Sequence, residues 1–553
     1  NKKKGKDSDK NHGGAQSPVI EFLILKKGEG TAELCSLTAG NKLQLLGPLG
    51  NQFQKPEIKK SSGSSVSSAQ NQTAKLCIIG GGIGVAPVAS FASSLTEKSY
   101  DFFASFKSGS YGLEYIKPQK LTITTDDGSV GIKGMLPAAI DEKLLKKENY
   151  AAIYACGPTP MLAYVKQIAE KAGIQCYLSM ESRMACGMGV CLGCTVKTTE
   201  GLKKCCSDGP VFDSKILCFE DSKKSSKTYT CRMPLEKEPD LRVKIAGVEF
   251  KNPVIAASGA FGFGTEYKTV FDVSRLGGIC SKGLTLEPRE GNGGIRLWET
   301  PSGLINSIGL NNPGVKHFIE NEMKQMLKLN TVSIANLSGS TLETYSQAAE
   351  LLDSTPIPLI ELNISCPNVK KGGAAWGLSC ESAAAAVKAV KCATKKPIAV
   401  KLTPAAANIS EIALSCIEYG ADALVIANTF PAVAIDIESG RPVFDNIKAG
   451  LSGPAIRPLA VKNVYDVANA VSALPKEKQV PIIGSGGIAT WQDAVEFIMA
   501  GATAVEVGVG TFINPLAMLS IIEGLSAFMK RKGYATIEQM RGLAFKKTIE
   551  HKM

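Results

Sequence analysis

The sequence predicts an α/β protein whose residues 241–553 close into an eight-stranded (β/α)8 barrel, and three observations carry that prediction. Eight short apolar runs, each the length of one buried strand, alternate with stretches of helical periodicity: VIAASGAF (254–261), GGICSKGLTL (277–286), TVSIANLSG (331–339), LIELNISCPN (359–368), IAVKLTP (398–404), ALVIANT (423–429), IIGSGGI (482–488) and AVEVGVGTF (504–512). Each run is apolar early and ends in residues such as Ser258, Lys282, Asn336, Asn363, Lys401 or Asn428. Barrel interiors are packed, so polar side chains at strand C-termini belong to the mouth. Caps for following helices would explain one or two of them, not two lysines and three asparagines on separate strands. The last two runs end in Gly486-Gly487 and Gly508, where barrels often bind a phosphate through backbone N–H groups.

Composition narrows the function classes. The chain has 553 residues, too many for one ordinary domain, and 44% hydrophobic content excludes a disordered scaffold. No run approaches the roughly 18 uninterrupted apolar residues of a membrane span, so no membrane partner is expected. Net charge is +12, spread along the chain apart from a Lys-rich first ten residues, and aromatics are only 6%. That lacks the interleaved aromatic and basic pattern of a nucleic-acid binder and reads as solubility with attraction for small anions. Sixteen cysteines in so long a chain do not describe a disulfide scaffold. Four with ligand-like spacing favour a reducing compartment, the cytoplasm. Because the chain begins at Asn1 and not Met, a natural start further upstream is expected.

The remaining elements follow in order. Residues 1–16 are polar and expected to be disordered. In 17–75, the alternation of VIEFLIL and the turn LLGPLGNQF predict strands of a partial small β domain, interrupted by a Ser/Lys-rich insertion from Lys55 to Thr73. Residues 76–178 form an α/β nucleotide domain, in which IIGGGIGVAP (78–87) is a strand–glycine–helix phosphate cradle short of the strict G-x-G-x-x-G fingerprint. Residues 179–219 are rich in Cys and Gly, and a charged linker, 220–240, leads to the barrel. Within 179–219, Cys186-x4-Cys191-x2-Cys194 followed by Cys206 is the plant-type [2Fe–2S] spacing, with Gly187, Gly189 and Gly193 letting the loop wrap closely. Zinc would also accept four thiolates, and the adjacent Cys205 leaves the fourth ligand open.

In the barrel, Cys366 lies between Ser365 and Pro367, where strand four breaks into a loop. A thiol there is a usable general base near neutral pH; the alternative is an inert buried cysteine, and the adjacent Asn363 and Asn368 favour the base. The segment ETPSGLINSIGLNNPG (299–314) suits a small planar ring bearing imide and carboxylate groups, or is simply a turn-rich loop. The glycine ends fit the phosphate of flavin mononucleotide (FMN), with tight turns as the alternative, and Lys401 would place positive charge near the reduced flavin.

Together these motifs resemble class 1B, NAD-linked dihydroorotate dehydrogenase, with its electron-transfer and FMN catalytic subunits joined in one chain. Residues 241–553 carry NPVIAASGAFGFG, KGLTLEPREGN, ETPSGLINSIGLNNPG, ELNISCPNVKKGG, GLSGPAI and IIGSGGI; residues 18–219 carry GPLGNQF, IIGGGIGVAP, TTDDGS, YACGPTPML, MESRMACGMGVCLGC and DGPVF. The glycine turn paired with YACGPTPML resembles the nicotinamide half of ferredoxin-reductase-like modules. The resemblance implies Cys366 as the base for the C5 proton of dihydroorotate, and Lys282, Asn306, Ser307, Ile308, Gly309, Leu310, Asn363, Asn428 and Thr429 as its holders. It implies FMN against Ser258, Lys282, Gly283, Asn336, Asn363, Lys401, Ala427, Gly453, Gly486, Gly487, Gly508 and Val509. It makes Cys206 the fourth cluster ligand through DGPVF, and assigns a small FAD site to Ile24, Leu25, Lys26, Gly30 and Thr31. Electrons would pass from FMN through [2Fe–2S] and FAD to NAD+, in a homodimer formed through the barrel, as part of pyrimidine synthesis.

Two positions depart from the family. Its Arg-Pro-x-Ser flavin motif is not found ahead of residue 18, and Val509 stands where a hydroxyl residue is usual. Two other readings compete. A dihydropyrimidine dehydrogenase-like flavoenzyme is disfavoured because NSIGLNN and Lys282 suit a carboxylate. A non-catalytic electron-transfer fusion is disfavoured by the complete barrel mouth.

Overall fold

The computed structural model describes residues 20–26, 29–43, 45, 47–55, 75–184, 186–219, 235–365 and 376–545. The chain divides into two units, Asn1–Tyr229 and Thr230–Met553.

The first unit is organised by a strand that ends in glycines. β1 (Leu76–Gly81) is buried along its whole length and turns through Gly82–Gly84 into a helix, Val85–Ser93. A side chain at Gly84 would place its Cβ 2.7 Å from the backbone of Cys156, so only glycine lets the two loops meet. β2 (Tyr100–Phe106), β3 (Lys120–Thr125), β4 (Ile132–Lys133), β5 (Ala152–Cys156) and β6 (Gln175–Ser179) complete a parallel sheet. Then come the hairpin β7 (Thr195–Thr198) and β8 (Gly201–Lys204), and β9 (Val211–Asp213), which pairs antiparallel with β6. The order β4-β3-β2-β1-β5-β6-β9 reverses between β1 and β5, the switch point where such sheets bind ligands beyond their strand ends.

The strands expected between Pro18 and Phe53 do not form among the described residues, which contain one short helix, Glu29–Ser36. A strand needs a ladder partner, and VIEFLIL has none: Ile20, Phe22, Leu23, Ile24 and Leu25 are exposed. The GPLGNQF turn does dock. Asn51 exchanges hydrogen bonds with Val211 and donates to the Asp208 carbonyl, and a Cβ on Gly50 would lie 2.4 Å from the Gly209 carbonyl oxygen. Residues 1–16 and the bulk of the Lys55–Thr73 insertion lie outside the described residues, as does 220–234 of the expected linker. The linker's end belongs to the second unit, where the Leu235 and Asp240 N–H groups donate to Lys530 and Ala535.

The second unit opens with a hairpin, β10 (Val243–Ile245) and β11 (Val248–Phe250), followed by barrel strands β12 (Val254–Ala256) and β13 (Gly278–Cys280). β14 (Leu297–Thr300) and β15 (Gly303–Asn306) form an excursion before barrel strands β16 (Val332–Leu337), β17 (Leu359–Asn363), β18 (Ile398–Lys401) and β19 (Ala423–Ile426). A second excursion holds β20 (Phe430–Val433), β21 (Ile435–Asp436), β22 (Arg441–Pro442) and β23 (Lys448–Ser452); β24 (Ile482–Ser485) and β25 (Ala504–Val507) then close the barrel onto β12. All eight sequence-predicted runs supply a barrel strand. The excursions pair as a four-stranded sheet, β14-β15-β23-β20.

Side-chain alternation explains why these strands are apolar throughout yet carry polar ends. On β17, Ile360 and Leu362 face the helices while Leu359, Glu361 and Asn363 face the barrel axis. Ile255, Ile334, Leu359, Ala399, Val425 and Ile483 pack with the hairpin's Phe250 as one apolar layer. The next inward positions, Asn336, Glu361, Lys401 and Glu506, are polar and buried. Surrounding helices are capped by their own sequence: Thr341 and Thr490 make reciprocal capping boxes at Leu342–Asp353 and Trp491–Met499. Among the described residues no helix is long and apolar enough to cross a membrane.

Candidate functional site

A cavity of about 420 Å³ occupies the barrel mouth. The strand ends supply Ser258, Lys282, Gly283, Asn363, Lys401, Ala427, Asn428, Thr429, Gly486, Gly487, Gly508 and Val509 to its wall, and the excursions supply Asn306, Ile308, Gly309, Leu310 and Gly453. No acidic residue is among its described lining; of its two lysines Lys401 is paired with Glu361 and Glu506 behind the wall, so Lys282 carries the charge that suits an anionic occupant. Gly486 and Gly487 have φ of +130° and +75°, and a Cβ on Gly487 would meet the Arg457 N–H nitrogen at 2.7 Å. The backbone there can approach an anion as no other residue would allow.

One hydrogen-bonded chain runs from the wall into the barrel. Asn428 Nδ2 donates to Ser365 Oγ at 2.9 Å, Ser365 donates to Asn363 Oδ1, and Asn363 Nδ2 donates to Asn336 Oδ1 at 3.2 Å. Asn336 Nδ2 in turn donates to Glu361. Lys401 Nζ sits 3.1 Å from Glu361 Oε1, 2.7 Å from Glu506 Oε2 and 3.4 Å from Ser258 Oγ. Burial works against the Lys401 ammonium, but the neighbouring Glu361 and Glu506 outweigh it and hold the pKa above its ordinary value. This chain fixes the amide faces of the site before anything binds.

Two sequence-predicted residues lie behind the wall. Asn336 is spent on Glu361 and Asn363, and Ser307 faces Asn292, whose Nδ2 donates to its Oγ at 3.1 Å. Asn336 acts on the cavity through Asn363, and Ser307 stands in the chain between the lining residues Asn306 and Ile308. Cys366 and Asn368 lie outside the described residues. Ser365, Glu361, Glu506 and Cys280 were missed by sequence reasoning; the available signal was an acid or hydroxyl inside a run buried on both faces, as in LIELNIS and AVEVG.

In the first unit the cysteine loop gathers thiols in pairs. Cys194 and Cys206 Sγ atoms are 3.3 Å apart, and Cys186 Sγ interacts with Cys191 while accepting from the Met188 and Cys191 N–H groups. Those amides, Cys191 first, pull the Cys186 thiol down to about 6. Cys205 points into the core, and burial pushes its thiol up to about 11. Two separated pairs suit the two irons of a [2Fe–2S] cluster better than a single zinc ion, which would draw all four thiolates together.

The proposed FAD contacts are not assembled. Ile24–Lys26 are exposed and outside any strand, and Gly30 and Thr31 lie in the first turn of the short helix. The described residues do not fit an FAD site.

A profile described as "Dihydroorotate dehydrogenase" matches residues 240–529, and one described as "Iron-sulfur cluster binding domain of dihydroorotate dehydrogenase B" matches 181–218. The "Dihydroorotate dehydrogenase B (NAD(+)), catalytic subunit" of Petrotoga mobilis is 54% identical over 304 residues, 55% of this chain and 99% of that protein. Its counterpart in Caldicellulosiruptor saccharolyticus is 46% identical over 303 residues, 55% of this chain and 98% of that protein. The crystal structure of Eimeria tenella DHODH in complex with ferulenol covers 59% of this chain and 96% of its own, at 22% identity and a TM-score of 0.47.

Proposed function

Because the chain belongs to the dihydroorotate dehydrogenase family, we propose that it oxidises dihydroorotate to orotate, the redox step of pyrimidine synthesis, in the barrel mouth. The observation that carries this is a ring-sized cavity with two lysines, four wall asparagines and no described acid. The domains divide the work: 241–553 for substrate and FMN, 179–219 for the cluster, 76–178 for NAD+.

The family resemblance assigns the residues' roles, and the positions of the described ones support them. Lys282 offers the charge for the substrate carboxylate, and Asn306, Asn363, Asn428 and Thr429 the polar contacts for its ring, with Ile308–Leu310 closing one side. Asn428 and Asn363 are held by Ser365, so the ring meets donors and acceptors already oriented. Cys366 is assigned the C5 proton. FMN, when bound, supplies the hydride acceptor for C6, and a [2Fe–2S] cluster on Cys186, Cys191, Cys194 and Cys206 a one-electron carrier. Lys401 keeps a fixed ammonium at the cavity floor, and Gly453, Gly486, Gly487 and Gly508 leave backbone open to the FMN phosphate. Val509 contributes through its backbone. The glycine turn after β1 supports NAD+ as terminal acceptor; passing single electrons from the cluster to NAD+ as a hydride needs a two-electron carrier between them, for which the described residues supply no fitting FAD site. Two copies paired through the barrel, in the reducing cytoplasm that suits free thiols, complete the reading.

The test is an anaerobic assay with dihydroorotate, run separately with NAD+ and with an artificial electron acceptor, and with dihydrouracil as control substrate. Turnover with both acceptors is the expected outcome of a working relay. Turnover with the artificial acceptor alone retains the barrel chemistry and removes the relay. Silence with both, or equal turnover of dihydrouracil, overturns the substrate.

A further inference from the structure

Four strands place titratable side chains together inside the barrel. Cys280 on β13, Glu361 on β17 and Glu506 on β25 bring one ligand-type atom each within 4.8 Å of one another, and Lys401 on β18 lies between the carboxyls. These are the donor types of a metal site, but the Lys401 ammonium holds the position a cation would take. None of the four is more than 3% exposed. The other groups facing them are Asn336 from β16 and Ser258 beyond β12, neither charged. Two buried carboxyls therefore face one cation, and groups this deep give up charge before they keep it unpaired.

Hydrogen-bond accounting says which carboxyl is neutral. Glu361 Oε1 takes two donors, Asn336 Nδ2 and Lys401 Nζ. Glu506 takes Lys401 at Oε2 only, and its Oε1 is buried with no donor among the described residues. A proton on that oxygen converts an acceptor without a partner into a donor facing Glu361. The electrostatics agree: burial and then Glu361 hold Glu506 well above the carboxylate range, while Lys401 overcomes burial to keep Glu361 below it. Burial foremost, then the two carboxyls, leaves the Cys280 thiol neutral.

We propose that Glu361 and Glu506 share one proton, carried by Glu506, and that this pair is a positioning device that keeps Lys401 an ammonium and fixes the charge beneath the flavin ring. The shared proton stands on the barrel geometry alone; its effect on a flavin rests on the function proposed above. Glu506 binds its proton in the folded chain and loses it in the unfolded chain once pH exceeds the ordinary carboxyl value. Its contribution to stability therefore falls as pH rises from there.

The experiment uses the full chain. Infrared spectroscopy at neutral and mildly alkaline pH is expected to show the carbonyl band of a protonated, slowly exchanging carboxyl, lost in Glu506→Gln. The unfolding temperature of Glu506→Gln relative to the parent is expected to rise steadily with pH. No such band in the parent, its persistence in Glu506→Gln, or a pH-independent temperature difference overturns the shared proton. If Glu506→Gln does not fold, the presence or absence of the parent band alone decides. For the flavin-loaded protein, Glu506→Gln exchanges one neutral group for another and is expected to leave the flavin reduction potential in place. Glu361→Gln/Glu506→Gln leaves Lys401 uncompensated and raises it. A large rise in Glu506→Gln alone shows two ionised carboxyls and overturns the proposal. No rise in the double variant overturns the effect on the flavin while leaving the infrared result to judge the proton.

Discussion

In the barrel, Asn363, Lys401 and Glu506 stand on strands whose register is fixed by a neighbour on each side, Asn363 opposite Lys401 and Glu506 opposite Ile255 and Ser485. In the first unit, Cys186, Cys191 and Cys194 stand on a glycine loop, and only Cys194 joins Cys206 in the core. The difference teaches two ways to hold an electron carrier. A strand-borne site is complete before its ligand arrives, and its polar groups are bound into the fold's stability. A loop-borne site is tied down at one edge, and its outer thiols stay available to an incoming metal.

The sharpest way to break this comparison is Lys401→Met. It leaves Glu361 and Glu506 without their cation and is expected to cost about 3–5 kcal/mol in denaturant unfolding of the barrel, the usual result of removing one partner of a buried pair. A loss near zero would mean the strand-borne site is no more structural than the loop. Cys194→Ser should behave in the opposite way. Its visible cluster absorbance and NAD+ reduction are expected to vanish, while barrel unfolding and dihydroorotate turnover with an artificial acceptor stay at parental levels. Lys282→Ala, at the edge of the cavity, is expected to raise KM for dihydroorotate about 10- to 100-fold, the worth of one charged hydrogen bond, and to leave the unfolding curve in place. Thr341→Ala calibrates the small end. Losing this cap is expected to cost about 1 kcal/mol and no activity, separating ordinary helix stability from stability that belongs to the site.

The barrel was legible because both its faces are buried, so each strand reads as a short apolar run that turns polar where it meets the mouth. The same pattern hid Glu361 and Glu506. An acid in mid-run reads as a buried acid, but its partners stay unnamed until closure brings them across the axis. Cys205 and Cys206 were indistinguishable by spacing, and pairing separates them: Cys206 Sγ lies 3.3 Å from Cys194 Sγ, while burial raises the Cys205 thiol. VIEFLIL carried a strand pattern without a strand, because pairing depends on a second segment that local sequence does not report.

The antiparallel pairing of β9 with β6 sets where this chain tolerates a cut. β9 comes after all four cluster cysteines in sequence, yet it covers the edge of a sheet begun before them. Breaking the chain at 179/180 would separate the seven-stranded sheet from its last strand and leave β6 with a bare row of N–H and C=O groups, an invitation to aggregate. The seven-stranded sheet and the cysteine loop are thus one heritable block: recombination can trade them together, but a breakpoint between them yields two damaged halves.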